Sequence, residues 1–335
     1  MRSHALVLLF LWAALAVLSS GCRKSTTSQA PPEVPMVETG GNPPEAPVAG
    51  RKYRIAFSQC NGAEPWRVLF DKEIKAEAER HGDTVELLYA DAQNDSARQI
   101  AQMENFIVQK VDAILISPKE SAPLTPVVEK AYDAGIPVIV LDRGVNTEKF
   151  TCFIGGDNLA IGREAGKYAV KILGGKGKVV ELWGLKGSTP AQERHQGFHE
   201  AIRGTNIQVI VEQEGKWLQP NARALMENIL KTQPEIDLVY AHNDPMARGA
   251  YLAALDAGRA GQIKFLGVDG NPGKEGGCQD VLDGKLSATF LYPRPGVEGL
   301  RTALKVLQGE KVPKRITLPT VVIDASNAAQ FVAAP

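Results

Sequence analysis

Trp66 and Arg67 follow the stretch AFSQCNGAEP, a few residues behind an apolar run that ends at Phe57. A large aromatic and a fixed cation stand there, at the mouth of a strand-to-helix turn, where most folds place Ser or Gly. Similar residue types recur behind other apolar runs. Ser117 follows AILI, Asp142 and Arg143 follow VIVL, and Trp217 closes IQVIVEQEGKW. Asn243 and Asp244 follow LVYAH, Asp269 follows KFLGV, and Arg194 ends KVVELWGLKGSTPAQER. Glu64 stands two residues before Trp66. Carboxylates, a carboxamide, guanidinium groups and two indoles form a set suited to a polyhydroxylated ring. Asp and Asn take pairs of hydroxyls, Arg offers a planar fork of donors, and Trp covers the mildly apolar C–H face. Hydrogen bonds to charged groups contribute about 1.5–3 kcal/mol each, so a handful in a dry cleft gives tight binding.

Each residue also has a plainer role. Trp66 would serve as helix-to-sheet core, Arg143 as a salt-bridge partner of Asp142, and Asp269 as a turn residue. Asp244 is read as the helix N-cap implied by Pro245 rather than as a ligand contact. Catalytic chemistry finds no support. Gly174-Gly175-Lys176-Gly177 precedes a strand instead of following one, GLKGSTP lacks P-loop spacing, and no Ser occupies a G-x-S-x-G elbow. His195 and His199 are i,i+4 on one helix, but no Glu sits at the zincin position and no third ligand is evident. They are read as a solvated helix face. No catalytic residue, cofactor or metal is therefore expected. Cys60, Cys152 and Cys278 show no CxxC spacing, and their odd count leaves at least one thiol free.

These residues need elements to position them. From Tyr53 onward, strands at 53–57, 84–90, 113–116 and 138–141 alternate with helices at about 65–81, 95–109 and 122–134. Pro65 suits a first helical position, where its missing N–H would be unbonded anyway. A second series has strands at 178–182, 207–212, 238–241 and 264–268, with helices at about 190–202, 220–232 and 245–257. Short continuous Val/Ile/Leu runs belong to strands buried on both faces, as in parallel sheets. Two successive βα series predict two doubly wound α/β domains. Ligands of such sheets bind outside the carboxyl ends of the strands, where the residues above stand.

The 335 residues allow two domains of about 150 each. Lys+Arg and Asp+Glu both total 38, and no basic stripe stands out, which argues against nucleic acid. The first residues are set apart. A short cationic start leads into the apolar run Ala5 to Leu18, too short to span a bilayer comfortably and read as a signal-peptide core within 1–21. Leu18-Ser19-Ser20-Gly21-Cys22 resembles a bacterial lipobox with Cys22 as the lipidated residue, although Leu18 sits one place further from the Cys than usual. Residues 22–50 are rich in Pro, Gly, Ser, Thr and Glu and read as a disordered tether.

From about Tyr53 onward the chain resembles the ribose-type (type 1) periplasmic sugar-binding proteins of ABC importers. The resemblance rests on FSQ…PWR, ILISP, PVIVLDR, IGGDN, ELWG, AQERHQGF, YAHNDPMARGA, GVDG and DGKLSATF, in that order. It implies the periplasmic binding protein type 1 fold: two doubly wound parallel-sheet lobes, hinged around a central cleft and joined by three crossings. The lobes would be 51–156 plus about 293–315, and 157–292 plus about 316–335. By position it implies that Glu64, Trp66, Arg67, Asp142, Arg143, Arg194, Trp217, Asn243, Asp269 and Tyr292 touch a monosaccharide. It also implies an ABC permease as partner, a monomeric binding protein, and an exported location, with the anchor at Cys22 holding it to the membrane. Ribose binders carry Phe-Phe where this chain has Trp66-Arg67, and Ser where it has Gly156. The SQ…WR combination is closer to galactofuranose-binding relatives, which points to a sugar other than ribose, in a furanose form. A sensor feeding a membrane receptor or two-component kinase would use the same cleft. A sugar-responsive repressor would need a helix-turn-helix where residues 1–50 are signal and tether.

Overall fold

The computed structural model describes residues 51–333. The expected signal segment, Cys22 and the tether lie outside the described residues. The chain begins β1 (Tyr53–Gln59), α1 (Pro65–Arg80), β2 (Val85–Asp91), α2 (Ser96–Val108), β3 (Ala113–Ser117), α3 (Ser121–Asp133), β4 (Val138–Leu141) and β5 (Cys152–Gly156). It continues through α4 (Asn158–Leu173), β6 (Lys176–Trp183), α5 (Thr189–Ile202), β7 (Asn206–Glu214), α6 (Gln219–Thr232) and β8 (Leu238–Ala241). Then come α7 (Asp244–Asp256), β9 (Lys264–Leu266), α8 (Gly277–Leu282) and β10 (Ala288–Phe290). The last elements are α9 (Gly296–Leu307), β11 (Arg315–Leu318), β12 (Val322–Asp324) and α10 (Ala329–Val332).

Two six-stranded sheets result, ordered β11-β5-β4-β3-β1-β2 and β12-β10-β9-β8-β6-β7. All pairings are parallel except β10 with β12. β3 and β4 are buried along their whole length, as their unbroken aliphatic sequence requires. In each sheet the order reverses beside the first strand of its series, β1 or β6. The carboxyl ends of those strands are therefore where a crevice opens. The fold is thus the two-lobed α/β arrangement expected from the sequence.

The chain passes between the sheets three times: from β5 to α4, from β10 to α9, and from β11 to β12. The expected return at about 315–316 falls too early. All of β11 pairs with β5, from Arg315 opposite Phe153 to Leu318 opposite Gly156, so the last crossing follows Leu318. β11 is an edge strand of alternating exposure, which gave its sequence no buried run to mark it. Among the described residues no helix is long and apolar enough to cross a membrane. Cys60, Cys152 and Cys278 are free, buried thiols.

Helices α4 and α5 pack unusually closely, and glycine allows it. A Cβ on Gly162 would stand 2.2 Å from the Arg194 carbonyl oxygen, and one on Gly197 2.2 Å from that of Leu159. This contact sets the height of α5, and hence of Arg194, against the second sheet. Gly197→Ala should therefore lower stability by about 1–3 kcal/mol through overpacking, although Ala normally favours a helix over Gly by up to about 1 kcal/mol. Urea unfolding checks this. A midpoint equal to or above that of the parent would refute the close-packing argument.

Candidate functional site

All ten residues singled out in the sequence line one cavity, together with Pro190. The free space left among these side chains is small, so they stand close around it. Glu64, Trp66, Arg67, Asp142 and Arg143 come from the first lobe. Arg194, Trp217, Asn243 and Asp269 come from the second, and Tyr292 from the crossing between β10 and α9. The lobes meet around the cavity: Gly144 N donates to Thr189 Oγ1 at 2.8 Å and Ser121 N to the Gly187 carbonyl at 3.1 Å.

Arg67 and Asp142 form the centre of the first wall. Arg67 Nη2 donates to Asp142 Oδ2 at 2.8 Å, and its Nη1 to Gln59 Oε1 at 2.9 Å and Ser117 Oγ at 3.1 Å. Burial opposes the Asp142 charge, but Arg67 and Arg143 outweigh it and hold this carboxyl below the usual carboxylate range. Tyr292 OH donates to Asp142 Oδ1 at 2.6 Å. Arg143 is more than the salt-bridge partner of Asp142. Its Nε lies 3.7 Å from Asp142 Oδ2, while Nη1 donates to the Lys119 carbonyl at 2.9 Å.

Trp66 takes both of the roles its sequence allowed. Its ring stacks on Tyr292 at 5.1 Å, meets Phe70 edge-on, and is 4% exposed, yet it lines the cavity. Its Nε1 donates to the Tyr292 carbonyl at 2.8 Å. Gly156 makes room for this stack, since a Cβ there would come within 2.9 Å of the Tyr292 ring. Across the cleft, the Arg143 and Arg194 guanidinium carbons lie 5.6 Å from the Trp217 ring centre. Gly184 serves Trp217 as Gly156 serves Tyr292: a Cβ would overlap the indole at 2.1 Å.

Asn243, not Asp244, caps α7. Its Oδ1 accepts from Met246 N at 3.1 Å, and its Nδ2 donates to the Trp217 carbonyl at 3.0 Å. Asp244 is instead the first helical residue and lies buried in a niche walled by Gly267 and Gly277, accepting from Thr289 Oγ1 at 2.6 Å and Gly270 N at 2.9 Å. The expected solvated face of His195 and His199 is also corrected. Both rings turn onto the buried carboxylate of Glu181, which comes from a neighbouring strand that no linear spacing reveals. Sequence reading missed three supports of the site: Gln59, Pro190 and Asn158. Asn158 Oδ1 accepts from Arg194 Nε at 3.0 Å, and IGGDN held the only signal for it.

Two further features set this cavity apart. Asp142, Trp217 and Asp269 hold positive φ angles of 65°, 70° and 136°. For non-glycine residues such backbone costs of order 1–3 kcal/mol each, and it clusters at functional sites. Three buried donors on the lining residues, Arg67 Nε, Arg194 Nη2 and Trp217 Nε1, make no hydrogen bond, although Arg67 Nε stands 3.6 Å from Glu64 Oε2.

The model of a periplasmic binding protein domain matches residues 55–311. The chain belongs to that family. Within the periplasmic binding proteins it is a ribose-type, type 1 member. It is 35% identical to the ribose import binding protein RbsB of Bacillus subtilis, over 80% of this chain and 86% of that one. It is 33% identical to the galactofuranose-binding protein YtfQ of Escherichia coli, over 79% of this chain and 85% of that one. A solved fructose-binding periplasmic domain of a hybrid two-component system superposes with a TM-score of 0.80 at 43% identity. The match covers 83% of this chain and 92% of that one.

The carboxyls of the second lobe differ from Asp142. Burial pushes the Asp244 carboxyl up to about 7, and burial together with nearby Asp244 raises Asp269 well above the ordinary range. In the unfolded chain an Asp titrates near 3.9. Between about pH 4 and pH 7 the folded protein therefore keeps a proton on Asp244 that the unfolded chain has lost, so this group makes stability fall as pH rises through that window. Asp244→Asn should flatten the pH dependence by on the order of a few kcal/mol across it. Urea unfolding at pH 4.5 and pH 7 checks this, and parallel curves for parent and variant would refute it.

Proposed function

We infer that this protein captures a monosaccharide between its two lobes and delivers it to an ABC importer. The observation that carries this reading is the set of three buried donors without a hydrogen-bond acceptor that converge on one cavity between the lobes. Leaving a buried donor unsatisfied costs about 1–3 kcal/mol, and sugar hydroxyls supply the acceptors these groups lack. Asp142 stays charged and accepts, while Asp269, favoured in its uncharged form, both donates to and accepts from a hydroxyl. Trp66 and Trp217 cover the ring faces. A ligand touching both lobes favours the closed arrangement by its differential contacts. The Trp66–Tyr292 stack over Gly156 favours a compact, furanose-sized ring. A sensor role is a second reading, supported by the likeness to the two-component domain.

A thermal-shift screen of pentoses and hexoses tests the binding reading. A matching sugar at 100 times its Kd should add about 2.7 kcal/mol of stability. Glu64 is the lining residue least embedded in the core, with its side chain 12% exposed. Glu64→Gln should weaken binding by about 10- to 150-fold, the loss of one charge-assisted hydrogen bond. Because Glu64 also accepts from Asn61 Nδ2 at 2.9 Å and faces Arg67 Nε at 3.6 Å, melting of the empty variant is measured beside it. Unchanged affinity in that variant, or no stabilising sugar at all, would sink the assignment.

The anchored location is part of the same proposal. Gly21-Cys22 after a short apolar run, followed by a proline-rich stretch, supports lipidation at Cys22. One acyl chain anchors only marginally, so firm attachment requires more than one. On fractionation, Cys22→Ala should move the mature protein from the membrane pellet to the soluble fraction. Retention in the pellet would leave an anchor elsewhere.

A further inference from the structure

On the flank of α5 turned from the cleft, His195 and His199 stand one turn apart and face β6 and β7. His199 Nε2 lies 2.9 Å from Glu181 Oε2, and His195 Nδ1 lies 3.1 Å from the same oxygen. Glu212, on β7, brings its Oε2 to 4.0 Å from His195 Nδ1. One donor atom from each of the four residues falls within 4.8 Å of every other. We propose that Glu181, His195, His199 and Glu212 form a binding site for a divalent first-row transition-metal ion, with Zn²⁺ the best fit, which ties α5 to β6 and β7.

The donor set selects the class of ion. Two imidazoles with two carboxylates suit zinc and its neighbours, whereas calcium and magnesium take oxygen ligands. The spacing also fits. Tetrahedral zinc with bonds of about 2.0–2.1 Å holds its ligand atoms about 3.3–3.5 Å apart. The separations of 2.9, 3.1 and 4.0 Å bracket that range and no pair exceeds 4.8 Å, so side-chain rotations bring the set together around an ion. The ligands are already oriented from behind. His242, fully buried, places its Nε2 2.9 Å from Glu181 Oε1, which leaves Oε2 to face the two helix histidines. Trp183 Nε1 donates to Glu212 Oε2 at 3.1 Å, and the Trp183 ring packs 4.1 Å from that of His195. Metal ligands are commonly held by such partners.

Access is one-sided. The side chains of His195, His199 and Glu212 are 28%, 34% and 38% exposed, while Glu181 is closed to solvent. An ion can enter from outside and meet a dry inner carboxylate. The same contacts would also form in a plain carboxylate–histidine cluster. Burial opposes the Glu181 charge, but the three histidine hydrogen bonds outweigh it and hold the group well below the usual range. A metal titration separates the two. The site bears on the cleft through its position: Arg194 adjoins His195 on α5, and Arg194 Nη1 donates to the His242 carbonyl.

The test uses the full chain stripped with a chelator, titrated with Zn²⁺ against a chromophoric indicator. One equivalent should bind and raise the melting temperature, and Co²⁺ in its place should give the visible bands of a four-coordinate ion. His195→Gln and His199→Gln should each weaken binding by more than the roughly 10- to 100-fold lost when a merely orienting residue is removed. Should those variants fold poorly, the more exposed Glu212→Gln provides the same readout. No stoichiometric Zn²⁺ uptake would overturn the proposal, as would equal affinity in the variants. A cobalt–thiolate charge-transfer band would also overturn it, by assigning the ion to a cysteine.

Discussion

The buried ion pair of Arg67 and Asp142 is the interaction on which the cleft depends. Taking two charges out of water costs several kcal/mol per ion, and well-packed apolar substitutes often do as well or better. Stability alone therefore does not account for the pair. It persists with most of its remaining hydrogen-bonding capacity filled by Gln59, Ser117 and Tyr292, while Arg67 Nε stays without a hydrogen-bond acceptor. That arrangement fixes two groups of opposite sign at the edge of a cavity. Asp142 reaches its position only through a left-handed backbone turn at the end of β4. The strain and the buried charge fall on the same residue, as pre-organisation for the proposed ligand requires.

Tyr292 carries that arrangement to the other lobe. It lies in the segment that leaves β10 for α9, bonds Asp142 through its hydroxyl, stacks on Trp66, and has the Arg194 guanidinium carbon 4.4 Å from its ring centre. One hinge-side residue thus touches the central groups of both walls. Two glycines, Gly156 and Gly184, are the space that lets the aromatic walls approach the cavity. The shape of the pocket is set as much by missing side chains as by present ones.

Much of this was legible in the sequence. Parallel strands buried on both faces are short aliphatic runs, and the residue after each run stands at the sheet's carboxyl edge. Asp142, Trp217, Asn243 and Asp269 could be found that way because the rule is local. What escaped was non-local. Asn243 rather than Asp244 caps α7 because the niche of Gly267 and Gly277 draws Asp244 inward, and those glycines lie more than twenty residues downstream. His195 and His199 looked solvated because their partner, Glu181, reads as one polar residue within an apolar strand. Trp66 was posed as core or wall, whereas a ring at a strand-to-helix turn can have one face on each. The end of β11 was blurred because an edge strand has no doubly buried pattern to mark it.

The order in which the chain visits its two sheets has a consequence for biogenesis. The first sheet receives β11 as its outer strand, and its α1 face is covered by α9, where Gly296 comes close to Phe70 and Ile74. Both pieces are encoded after the entire second sheet apart from β12. As the polypeptide emerges amino end first, the earlier half waits with an unpaired β5 edge and a bare aromatic face until almost the whole chain is available. The later half can gather nearly all of its strands sooner. An unpaired strand edge and exposed apolar surface are the features that make incomplete chains stick to one another. Chaperone dependence during export should therefore concentrate on the half that is synthesised first.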